Sequence, residues 1–130
     1  MEIFTVQTHG HDELIDITAQ VRDIVRKSGV SSGICCIYTP HTTAGITINE
    51  NADPDVQSDI IVGLRHFKLE SVAFDHAEAN SPSHIKSSMF GCSETVIIER
   101  GNLQLGTWQG IYFCEFDGPR NRKVMVQIVG

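Results

Sequence analysis

The chain has 130 residues and a formal net charge of −6, from 10 Lys and Arg against 16 Asp and Glu. One domain with a hydrophobic core that needs no disulfide or structural metal is expected at this length. The acidic balance excludes a broad nucleic-acid surface, which requires a basic face, and no stretch approaches the roughly 20 apolar residues of a membrane span.

The first residues, Met1 to Thr8, place no basic segment before an apolar one, so no signal peptide is read and a cytoplasmic protein is expected. Residues 2–8 alternate and read as a strand. His9-Gly10-His11-Asp12 is a turn whose two histidines read as solvated in preference to metal-binding. Residues 14–17 form a short second strand. Thr18 is placed as the cap of a helix running to Ser28, with Val21, Ile24 and Val25 on its apolar face and Gly29 ending it. Gly33 to Tyr38 is a continuous apolar run, which fits a strand covered on both faces. Gly45 to Asn49 alternates as a half-buried strand does. Between these two strands lie His41, Thr42 and Thr43, in a loop that begins at Thr39-Pro40. Loops held by scaffold on both sides commonly carry reactive side chains.

Asp53-Pro54 reads as an N-cap with proline at the first helical position. The helix it starts extends over 54–67, with Val56, Ile60, Leu64 and Phe67 as its apolar stripe and His66 on its polar side. Residues 69–80 lack periodicity. Ser81-Pro82 reads as the cap and first helical position of a short helix through Ile85, Met89 and Phe90 that Gly91 stops, with His84 in its first turn. The rest reads as strands at 94–99, 103–105, 110–116 and 123–129. The four cysteines, Cys35, Cys36, Cys92 and Cys114, make no CxxC pair and read as reduced small hydrophobes. Roughly seven strands, two main helices and one short one define an α+β domain over residues 1–130, with a mainly antiparallel sheet or sandwich.

Several segments together resemble the YjbQ-like family, also called the secondary thiamine-phosphate synthase group. The stretch from Ser93 to Ile111, ending in Gly106-Thr107-Trp108-Gln109-Gly110-Ile111, resembles its signature. His41-Thr42-Thr43-Ala44 with Asn49-Glu50 resembles a first block, His76 with Ser83-His84-Ile85-Lys86-Ser87-Ser88 a second, and Asp117-Gly118-Pro119-Arg120 a closing turn. The resemblance covers essentially the whole chain. It implies a compact β-rich α+β domain that forms trimers. It also implies a weak thiamine-phosphate synthase activity, which joins an aminopyrimidine pyrophosphate to a thiazole phosphate and releases pyrophosphate. The stretch from His76 to His84 varies among relatives.

Positioning and electrostatics carry nearly all of such a displacement. Thr42 and Thr43 are expected to donate to phosphate oxygens, and Arg120 to clamp phosphate with its planar fork. Arg120 clusters with Arg122 and Lys123, which could equally be a solvated turn. His41, His76 and His84 either bind the anion or hold a divalent metal. Zinc suits three histidines, whereas magnesium would choose Glu50 and Asp53. Asn49 is a candidate for substrate or phosphate binding, and Glu50 is either a general base or pyrimidine hydrogen-bond partner or simply an acid of the loop leading into the helix. Trp108 either stacks on a heterocycle or anchors the core beside Gly106, the second being preferred for its buried area. Glu115 is a candidate only if it faces inward. The competing expectation is a non-catalytic trimer that binds a metal or a phosphorylated ligand in the same pocket.

Overall fold

Two antiparallel sheets face each other across the main core. In this computed structural model, which describes residues 1–130, the order is β1 (Glu2–Gln7), β2 (Glu13–Asp16), α1 (Thr18–Ser28), β3 (Gly33–Tyr38), β4 (Ala44–Glu50), α2 (Pro54–Arg65), a 3-10 turn (Leu69–Ser71), α3 (Ser81–Phe90), β5 (Ser93–Glu99), β6 (Asn102–Leu103), β7 (Gln109–Glu115) and β8 (Asn121–Val129). The larger sheet runs β1-β8-β3-β5-β6 and the smaller β2-β7-β4. The fold is thus the α+β domain that the segment pattern predicts.

The period-2 alternation of the strands explains the layers. From the larger sheet, Val6, Cys35, Ile37, Val96, Ile98, Val124 and Val126 point inward. They meet Ile46, Ile111 and Phe113 of the smaller sheet and Ile17, Val21 and Val25 at α1. The opposite face of the smaller sheet presents Leu14, Tyr112, Cys114 and Phe116 to Leu64 of α2 and Phe90 of α3. Each large apolar side chain so buried contributes about 1.5–3 kcal/mol before the entropy of ordering is subtracted.

Strand β7 is therefore the one covered on both faces. β3, expected to be so covered, buries only alternate residues: Cys35 and Ile37 are inside, while Ile34 and Tyr38 are exposed. No helix of this chain lies over the outer face of the larger sheet, where Ile3, Ile34, Ile97 and Val129 remain exposed. Two capping expectations also shift. Thr18 is the first helical residue and not a cap, because Asp16 Oδ1 holds its amide (2.9 Å) and its hydroxyl (2.6 Å) while the same hydroxyl accepts from Ile111 N. In α3 the cap position falls on Asn80, one residue before Ser81. Asp53 does cap α2, accepting from Asp55 N at 2.9 Å. All four cysteines are free thiols, with Cys35 and Cys114 buried. Burial pushes the Cys35 thiol up to about 11, followed by a smaller contribution from Cys36.

Candidate functional site

At the end of β3 the ladder cannot continue, because Pro40 has no N–H to donate. Side chains take over. Thr39 Oγ1 donates to Lys123 O of β8 (3.1 Å), and Lys123 N donates to His41 Nε2 (2.9 Å). Two residues later Thr43 is buried, and its Oγ1 accepts from Arg122 Nη2 at 2.9 Å. The loop carrying His41, Thr42 and Thr43 is thus fastened to β8 at both ends.

Beneath it lies an ion pair between the sheets. Glu115 is inward-facing and fully buried at the end of β7. Arg122 Nε donates to Glu115 Oε1 at 2.8 Å, and Nη2 of the same guanidinium bonds to Oε2. Thr8 Oγ1 (2.7 Å) and Asp117 N (3.0 Å) also donate to this carboxylate. Burial alone would raise the Glu115 pKa, but the hydrogen bonds from Arg122, Thr8 and Asp117 N outweigh it and hold the group below its ordinary value. His41 is shifted downward, first by burial and then by the positive charge of Arg122.

The third wall comes from the 76–84 segment and α3. Ser87 Oγ donates to Ala44 O (2.6 Å) and Ser83 Oγ to Phe116 O, which docks α3 against β4 and the end of β7. His84 then faces the His41 loop, and the rings of His76 and His84 stand edge to face with centroids 5.4 Å apart. Lys86, fully buried on the inner stripe of α3, pairs with Asp12 (2.8 Å) and Glu70 (3.2 Å). The closing turn adds Asp117, which accepts from Asn80 Nδ2 at 3.0 Å and from Arg120 Nη2 at 3.2 Å.

These walls border an open, mainly polar cleft of about 410 Å³ that His41, Thr42, Thr43, His76, His84 and Arg120 line, together with Pro40, Glu78, Asn80, Asp117 and Arg122. The chain so gathers six of the sequence candidates from segments far apart. Three others lie elsewhere. Glu50 pairs with Gln109 at the end of β4 opposite to Ala44 and Glu115, about 20 Å away along the strand. Asn49 and Trp108 accompany it. Within one chain none of the three reaches the cavity. Trp108 is also no core anchor, being 62% exposed. Glu50 O accepts from Tyr112 Oη instead, at 3.0 Å, and Asp53 is engaged as the α2 cap.

The donor set does not fit a metal as arranged. No three His, Cys, Asp or Glu side chains converge on one point, whereas zinc demands convergence at about 2.0–2.1 Å from each imidazole. Nor do the cations stand free: Arg120 is engaged by Asp117 and Arg122 by Glu115.

Sequence reasoning placed Asp117 and Lys86 in family-like segments without giving them a role, did not single out Asn80 or Glu78, and left Glu115 conditional. Two signals were available. Ile111, Phe113 and Glu115 share one face of β7, which puts an acid on a core position. Lys86 follows Pro82 by one helical turn and precedes Phe90 by another, which puts a charge on the buried stripe.

The sequence profile of the family described as UPF0047 protein YjbQ-like matches residues 2–130. The chain is 54% identical over 127 residues to a UPF0047 protein of Methanocaldococcus jannaschii, covering 98% of this chain and 92% of that one. It is 50% identical to the UPF0047 protein YugU of Bacillus subtilis, covering 100% and 99%. Among solved structures, one from Clostridium acetobutylicum, of the yjbq/upf0047 family, superimposes with a TM-score of 0.96 at 53% identity, covering 99% of this chain and 100% of that one. A YbjQ-like protein from Sulfolobus solfataricus superimposes with a TM-score of 0.95 at 36% identity, covering 99% and 95%.

Proposed function

This chain belongs to the UPF0047 protein YjbQ-like family, and on that premise we propose that its His41 cavity binds a phosphorylated small molecule and works as a thiamine-phosphate-synthase-like transferase. The observation that carries the proposal is the gathering of His41, Thr42, Thr43, His76, His84 and Arg120 around one mainly polar cleft. In the proposed reaction the thiazole nitrogen forms a bond to the exocyclic methylene carbon of the pyrimidine. The bond from that carbon to pyrophosphate breaks, and pyrophosphate leaves with the electron pair. No proton changes hands, so the demand on the protein is to place both substrates and to stabilise charge building on the leaving group. Thr42 and Arg120 are suited to that charge. Arg120 can offer its second amino group to the ligand directly, and only a two-pronged clamp would require it to exchange its bond to the Asp117 carboxylate.

A homotrimer is part of the proposal. The uncovered outer face of the larger sheet carries Ile3, Ile34, Ile97 and Val129, an apolar surface of the kind that another chain covers. Tyr38 lies on the same face and lines the cleft beside His41, so a copy seated there would extend the rim of the site. Glu50, Asn49 and Trp108 contribute to catalysis only if a neighbouring copy supplies them. Cytoplasmic residence is proposed as well, supported by four free thiols. No helix is long and apolar enough to cross a membrane.

The second reading is a non-catalytic binder of a phosphorylated ligand. The pairing of both arginines with carboxylates favours it, because a site so neutralised suits modest affinity better than strong stabilisation of a leaving group. One assay separates the two: thiamine phosphate formation from the pyrimidine pyrophosphate and thiazole phosphate by the wild type, His41→Ala and Arg120→Ala, each checked for fold by circular dichroism. Turnover that falls at least tenfold in both variants supports the transferase. Absence of turnover, or an equal rate in all three, overturns it, and retained pyrophosphate binding by the wild type then selects the binder.

A further inference from the structure

By register Pro40 falls opposite Lys123 of β8, beyond the end of β3 at Tyr38, and has no N–H to offer. His41 supplies Lys123 with a partner through Nε2, at 2.9 Å from Lys123 N. A backbone N–H can only donate, so Nε2 must present a lone pair. A neutral imidazole holds one N–H, which is therefore on Nδ1. We infer that β8 locks His41 as its Nδ1–H tautomer, so that His41 meets the ligand of this cavity as a donor to an oxyanion and not as a metal ligand or a proton acceptor.

Every alternative opposes the backbone. A metal on Nε2 would take from the Lys123 N–H the acceptor it has in this chain and leave that exposed amide to water. A metal or an accepted proton on Nδ1 would leave a hydrogen on Nε2 facing the Lys123 N–H. The Lys123 carbonyl is already taken by the Thr39 hydroxyl, so the two side chains flanking Pro40 satisfy the strand as a pair. The absence of any convergent set of three metal-ligating side chains agrees with this. So does the neighbouring cationic group: Arg122, which faces the loop from below, disfavours a second positive charge on the ring. The chemistry proposed above asks for no proton acceptor, so the tautomer and the reaction are compatible. The identity of the ligand as a phosphate rests on the proposed function; the tautomer rests on backbone geometry alone.

The test is long-range proton–nitrogen correlation spectroscopy on the full chain with isotope-labelled histidine rings, recorded alone, with inorganic pyrophosphate, and with zinc. His41 is assigned by the signals lost in His41→Gln. That variant keeps an acceptor near the Nε2 position and so spares the fold, which its thermal midpoint checks. The expected result is a protonated Nδ1 and a bare Nε2 in the free protein. Pyrophosphate shifts the Nδ1 pair and zinc leaves both nitrogens unmoved. Pyrophosphate affinity falls about tenfold in His41→Gln, as loss of a hydrogen bond to a charged group implies. A protonated Nε2, or a zinc-induced shift of either His41 nitrogen, overturns the tautomer lock. A protonated Nδ1 in a protein that ignores pyrophosphate overturns the oxyanion-donor role and the phosphate-site reading, and leaves the tautomer standing.

Discussion

Glu115 is the residue on which the site's geometry depends most. Its carboxylate receives four donations, two of them from Arg122, and Arg122 in turn holds Thr43. Removing one partner of a buried ion pair leaves the other charge without compensation, so Glu115→Gln is expected to lose about 3–5 kcal/mol of stability. Urea denaturation at neutral pH measures it, and an unchanged midpoint would show the pair to be dispensable. The same group sets an acid limit. Its folded pKa is lowered, so the stability it contributes is fully present above the ordinary carboxylate range and is lost as pH falls through the lowered value. His41 acts at higher pH in the same sense. Its folded pKa is lowered too. The unfolded chain therefore takes up a proton below about 6.5 that the folded chain resists, and stability declines with acidification from there. His41→Gln should flatten this upper part of the pH profile and leave the lower part intact. A profile identical to the wild type would contradict it.

Elements converge on the site through turns that tolerate little change. At Gly118, in the turn between β7 and β8, an added Cβ would meet the carbonyl oxygen of Gly10, with Glu115 Cγ at 2.7 Å and Thr8 Oγ1 at 2.9 Å. The carbonyl cannot yield without moving the β1–β2 turn. Gly118→Ala is therefore expected to cost about 1–3 kcal/mol by overpacking and to lower pyrophosphate binding through Glu115. A thermal midpoint within error of the wild type would count against so close a fit. At the far end of the smaller sheet the expectation is the opposite. Trp108 is exposed and no part of the cavity, so Trp108→Ala should change monomer stability by no more than about 0.5 kcal/mol. If it nonetheless reduces turnover, the far end of one copy works on the cavity of another. Some element boundaries were readable: the end of α1 at Ser28, the strand 33–38 and the Asp53 cap follow from local period and turn residues. Thr18 was misread because its partner, Asp16, competes for its hydroxyl and amide, which a cap rule based on Thr alone does not register.

The whole molecule leaves one apolar surface open. The run Gly33 to Tyr38 has the composition of a strand covered twice, yet the chain covers it once. Under the proposed homotrimer, a second copy over the larger sheet would reconcile the two. Ile97 lies on that face in β5, 62% exposed and opposite Ile34 of the central strand β3. Ile97→Lys should therefore convert an oligomer into a monomer with an unchanged circular dichroism spectrum, because a lysine there meets only solvent in the single chain. Light scattering decides. A wild type that is itself monomeric, or a variant of undiminished size, would remove this face from the assembly.

What the residues by themselves determined is the set of parts. Alternation, helical stripes, proline and glycine placement and the free cysteines are nearest-neighbour chemistry, and they specified an α+β domain together with the histidine, threonine and arginine candidates. What only the tertiary structure decided is which parts meet. His41, His76, His84 and Arg120 converge because β4 and β7 pair with Ala44 opposite Glu115. The same register carries Asn49, Glu50 and Trp108 to the other end of the sheet. Strand register depends on contacts between residues many positions apart, and no local pattern encodes it. The tautomer of His41 is of the same kind, since the backbone group that selects it belongs to the last strand of the chain.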